Sequence, residues 1–136
     1  MPGEPYSRLV RRYFENPVHA GDLPTGYARV RAAAEAGGPA GFRIVLAAGL
    51  AAGRLARLRF RAYGCPHLIA AAEATCAAFE GRDWQSLEEF DVAALRAALE
   101  VPVEKTGRLL LLEDAVRALA AAIAREQTDE ERDRID

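Results

Sequence analysis

The chain has 136 residues, 51% of them hydrophobic, with a formal net charge of −2. That length suits one domain with its own core, and the apolar fraction excludes a disordered chain. The small net charge gives no reason to expect nucleic acid or an anionic membrane surface, and no apolar run approaches the ~20 residues of a bilayer span.

In chain order, Ser7 reads as an N-cap, with Leu9, Val10, Tyr13 and Phe14 following at helical spacing and Pro17 ending the segment. This opening stretch lacks the apolar core of a signal peptide. Two cysteines without an export signal read as reduced thiols, so the cytoplasm is the expected compartment. GDLPTG is a turn-rich patch, Tyr27–Ala33 a strand with alternating arginines, and GGPAG a break at 37–41. Phe42–Leu50 and Arg54–Tyr63 then predict an antiparallel hairpin. On its second strand Arg57, Arg59 and Arg61 share one face, while Leu58, Phe60 and Ala62 share the other.

From Cys65 onward the pattern is helical. One helix covers about 66–80 and stops at Gly81. Ser86 is expected to cap LEEF and Asp91 to cap VAALRAAL, with a break at Pro102. The last helix begins near Thr106 and carries Leu112, Val116, Leu119 and Ile123 on one stripe. Residues 127–136 form a charged tail expected to be disordered. The order helix, three strands, then helices predicts an α+β fold. In it a three-stranded antiparallel sheet carries an N-terminal helix and several C-terminal helices, all within a single domain at 1–126.

The segment Gly53 to Gly81 is the most informative. It runs an arginine-bearing strand into Cys65 at the mouth of an alanine-rich helix. A helix start favours negative charge, so a thiol there can be reactive.

Four segments, taken together, resemble the NifU/IscU family of iron–sulfur cluster assembly scaffolds. They are Tyr6-Ser7 with Tyr13-Phe14-Glu15-Asn16-Pro17 and Gly21; Gly53 to Cys65, ending F-x-x-Y-G-C; the helix to Gly81 with W-x-S-L-E-E; and Glu113-Asp114-Ala115. The resemblance implies a scaffold fold and a non-enzymatic role in cluster assembly. It also implies a cysteine desulfurase or another protein as partner.

Carried over residue by residue, the family's ligand positions mostly fail. Its first cysteine lies in a P-A-C-G-D loop, whereas here Pro39-Ala40 precedes Gly41-Phe42-Arg43. Its central cysteine is Cys65. Its histidine and third cysteine fall on Gly107 and Arg108. The chaperone-read L-P-P-V-K segment survives only as Val101-Pro102-Val103-Glu104-Lys105.

Iron–sulfur clusters are held mainly by converging thiolates. Cys65 and Cys76, eleven positions apart, would stand roughly 16 Å apart on one helix. No stably bound cofactor is therefore expected. Transient iron or zinc at Cys65, with His67 as a second ligand, is the remaining metal reading, and a homodimer could pool two Cys65 thiols.

Two functions stay open. In one, Cys65 accepts sulfur or binds metal transiently, with Arg108 and Arg43 as auxiliary cations and His67 nearby. In the other, the fold is an interaction or regulatory module with no such chemistry. His67 otherwise reads as an exposed first-turn residue, Cys76 as packing and His19 as a surface residue. The arginines, with Arg29 and Arg31, read as a solvated sheet face or as a dock for an acidic partner or anion. Walker-type, G-x-S-x-G and histidine-rich metal motifs are absent, and a Cys-His dyad lacks an orienting group.

Overall fold

A computed structural model describes residues 6–23 and 30–135, with Val30 and residues 129–135 described by backbone alone. The first helix, α1, spans Arg8–Glu15, and its Ser7 cap forms as expected. The Ser7 hydroxyl oxygen accepts from the Val10 N–H at 3.1 Å. The same hydroxyl donates to the Leu99 carbonyl at 2.6 Å, tying the chain start to a segment 92 positions away.

Three strands follow: β1 (Val30–Gly37), β2 (Arg43–Ala51) and β3 (Arg54–Tyr63). They form one antiparallel sheet in the order β1-β2-β3. The first strand ends at Gly37, later than its sequence pattern suggests, and Tyr27–Arg29, where that pattern begins, lie outside the described residues. The predicted hairpin is present. Its two-residue turn, Ala52-Gly53, has φ values of 51° and 75°. Such a turn matches the twist of the flanking strands. Gly53 takes this conformation without penalty, and Ala52 tolerates it at about 1 kcal/mol.

A register shift lies near Gly49 and Leu50: Gly49 faces Arg57 while Leu50 faces Leu55. Ala56 is the extra residue, a bulge that flips the alternation. Leu55 therefore reaches the core together with Leu58 and Phe60, although simple parity would group it with the arginines.

The long helix α2 (Pro66–Phe79) begins directly after Cys65, its N-cap residue. A 3-10 turn at Trp84–Glu89 follows, then α3 (Val92–Leu99). Asp91 caps α3 through a bond from the Ala94 N–H. Ser86 does not cap the preceding turn: Asp83 does, accepting from the Gln85 N–H, while the Ser86 hydroxyl bonds back to the Asp83 carbonyl. The last helix, α4, runs from Thr106 to Ile135. Its backbone thus stays helical through most of the segment read as a charged tail. Leu112, Val116, Leu119 and Ile123 are all buried, as the stripe predicted. α4 packs on β1 and β2, and α2 packs on β3 and α1, so the core lies between one sheet face and these helices.

Candidate functional site

β3 ends at Tyr63, Gly64 turns the chain, and Cys65 opens α2. Cys65 is half-buried, and its side chain makes no capping hydrogen bond. Gly64 has φ +149°, and a Cβ there would run into the Phe42 ring. Glycine is thus required twice over, by backbone conformation and by the aromatic ring lying against it. On its other side Phe42 meets Arg108, whose guanidinium carbon sits 4.5 Å from the ring centroid. One aromatic side chain therefore joins three segments: the β1–β2 turn, the strand end before Cys65 and the start of α4.

His67 is placed differently from its sequence reading. Only 2% of it is exposed, because the Tyr6 ring lies 4.9 Å away and α4 closes over the start of α2. Neither ring nitrogen has a hydrogen-bond partner among the described residues. Burial pushes its pKa down, and the charges of Lys105 and Arg108 push it further. The ring is therefore neutral at pH 7. The Arg108 Nε is likewise buried without a partner.

Arg43, the other auxiliary cation, is engaged elsewhere. It pairs with Glu35 and lies over the Tyr63 ring. Gly41 is exposed in the 3-10 turn Pro39–Gly41, and Gly107 is exposed in the first turn of α4.

A half-open cavity of about 510 Å³ lies between the β1–β2 turn and α4, lined by Pro39, Ala40, Phe42, Gly107, Arg108, Leu110, Leu111 and Asp114 among others. Gly41 and Cys65 are not part of its lining.

Further along α2 lies a polar cluster that the sequence did not announce. His19, read as a surface residue, is 13% exposed and points its Nδ1 at Glu73 Oε2, 2.5 Å away. Its Nε2 lies 3.2 Å from Glu80 Oε1, so both ring nitrogens face carboxylate oxygens. The His19 N–H donates to Glu73 Oε1, while Glu80 Oε2 accepts from the Leu58 N–H and from Arg59.

Burial opposes the Glu80 charge, but these bonds outweigh it and hold its carboxyl below the ordinary range. Arg61 grips Asp22 through two bonds of 2.9 and 2.7 Å. Two arginines of the β3 row, Arg59 and Arg61, are thus paired within the chain, and Arg29 lies outside the described residues. Cys76 is 1% exposed, and burial raises its pKa far above the ordinary thiol range, so it packs as a neutral group. A local hint of the cluster was Glu73 in the alanine-rich run of α2, with Glu80 just past its end.

A sequence model of the family described as NifU-like N terminal domain matches residues 5–130. The chain belongs to that family.

Solved structures agree at the level of fold. One, assigned as an iron–sulfur cluster assembly scaffold protein for the SUF system of Fervidobacterium islandicum AW-1, superimposes with a TM-score of 0.67 at 14% identity. That match covers 88% of this chain and 99% of the other. A nitrogen-fixing NifU-like protein (N-terminal) from Brucella abortus gives 0.66 at 14% identity, covering 88% and 94%. No curated protein matches the chain. The architecture is thus the α+β scaffold type that the four segments suggested.

Of the residues that the sequence reading set at the ligand positions, Arg108 meets the Phe42 ring, while Gly41 and Gly107 are exposed. Among the described residues no three His, Cys, Asp or Glu side chains converge in a way that could hold a metal ion. The donor set around Cys65 does not fit a cysteine-ligated cluster.

Proposed function

We propose that this NifU-like protein is a cluster-assembly scaffold whose cluster site has been dismantled, and that it works through one thiol. Cys65 accepts a single sulfur atom, or holds iron or zinc briefly, and passes it on. The carrying observation is the contact of Phe42 with Gly64, the residue before Cys65, and with Arg108: an aromatic ring and a guanidinium meet beside the strand end that delivers Cys65, where a cluster cage would need soft donors. What remains is a half-buried sulfur at a helix start, where negative charge is stabilised.

The sulfur step balances without an oxidant. The Cys65 thiolate attacks the outer sulfur of a donor persulfide, the donor's S–S bond breaks, and the donor leaves as a thiolate. Cys65 then carries the persulfide. The partner implied is a cysteine desulfurase or another persulfide-bearing protein, working in the reducing cytoplasm. The protein itself is a carrier and not an enzyme.

Mass spectrometry after incubation with a desulfurase and free cysteine tests this reading. The Cys65 peptide should gain the mass of one sulfur atom, reversibly with dithiothreitol, and Cys65→Ser should gain none. A Cys65 that never takes up sulfur or metal, in a protein whose partner binding Cys65→Ser leaves intact, would establish the interaction-module reading instead.

A further inference from the structure

The cavity beside α4 has the size and lining of a small-molecule site. Its volume of about 510 Å³ lies within the roughly 300–1,000 Å³ typical of small-molecule sites. Phe42, Leu110, Leu111 and Pro39 give it an apolar body, and Arg108 and Asp114 give it two charges of opposite sign. Among the described residues Arg108 is in no ion pair, so its guanidinium, part of the cavity lining, carries a charge that no carboxylate meets at ion-pair distance. The planar guanidinium suits a carboxylate above other acceptors of similar size. Asp114, also in the lining, repels a second negative charge.

Three glycines, Gly37, Gly38 and Gly107, line this space, and two of them keep it open. A Cβ at Gly37 or Gly107 would meet nothing within 4 Å, and neither residue has a positive φ. Their lack of a side chain leaves room, and the backbone does not demand it.

From these features we infer that the cavity binds a small monocarboxylic acid with an apolar body, its carboxylate on Arg108 and its body against Phe42, Leu110 and Leu111. This site is separate from the sulfur chemistry proposed for Cys65, which does not line it, and either reading can fail alone.

A titration followed by Leu110 and Leu111 methyl NMR signals decides the matter, with 3-phenylpropanoate, its neutral amide and the dicarboxylate phenylsuccinate as probes. The acid should bind saturably. The amide and the dicarboxylate should each bind at least about tenfold more weakly, the scale of one charge-assisted bond. Arg108→Gln should weaken the acid by a similar factor, and Gly107→Leu should abolish binding. Leucine is preferred over glycine inside a helix, so Gly107→Leu remains folded. Equal affinity for acid and amide, unchanged binding by Gly107→Leu, or no saturable binding of the acid at millimolar concentration would each overturn the inference.

Discussion

In the C-terminal half of α2 and just past its end, Glu73 and Glu80 are enclosed by His19, Arg59 and the Leu58 N–H, and all four carboxylate oxygens have a partner. At the N-terminal end of the same helix, His67 is equally buried, and neither of its ring nitrogens is bonded among the described residues. The first arrangement is what a fold builds to hold itself together: it fastens the segment after α1 to α2 and β3. The second leaves two buried ring nitrogens unpaired and so adds nothing to stability. One helix thus carries a satisfied end and an end whose buried polar groups are left open.

Breaking the satisfied end should cost the most. Glu73→Ala removes the acceptor of the His19 Nδ1 and of the His19 backbone N–H, leaving two nearly buried nitrogens without partners while Nε2 keeps Glu80. The expected loss is about 3 kcal/mol, read from urea unfolding.

Next comes the junction before Cys65. Gly64→Ala should cost about 2 kcal/mol, combining an unfavourable φ with a clash against Phe42. Phe42→Ala in the same chain should recover part of that loss, which a double-mutant cycle measures.

Acid should weaken the satisfied end in a defined direction. The Glu80 carboxyl sits below its ordinary value of 4.5 in the folded protein. Its contribution is therefore complete above that value and is lost as pH falls through the lower folded value. Urea midpoints measured downward from pH 6 should fall more steeply for the parent than for Glu80→Gln.

The smallest effect belongs to the open end. His67→Leu replaces two unpaired nitrogens by an apolar group and should leave stability unchanged or raise it by up to about 1 kcal/mol. A loss comparable to that of Glu73→Ala would erase the distinction between the two ends.

Local patterns made part of this legible. Alternation gave β2 and β3, Ser7 and Asp91 announced their caps, and the run from strand to Cys65 located the helix mouth. Four scattered segments pointed to the family. The rest depends on contacts between residues far apart in sequence. His19 meets Glu73 and Glu80 across 54 and 61 positions, so no window of helical spacing reveals the cluster. His67 looked exposed because it sits in a first turn, and its burial comes from Tyr6 and from α4. Ser86 and Asp83 are equally good caps on paper, and the 3-10 turn beginning at Trp84 selects the earlier one. Phe42 read only as a strand residue; its wedge against Gly64 appears once the turn, β3 and α4 are brought together.

Cys65 occupies the cap position of α2 while making no capping bond. Serine, one atom different, would accept a bond from the first turn and make the helix firmer by about 1 kcal/mol. On the function proposed above, sulfur is kept at that point at the expense of a sturdier helix. The same fact makes Cys65→Ser an unusually clean control, since any activity it loses cannot be blamed on a weakened protein.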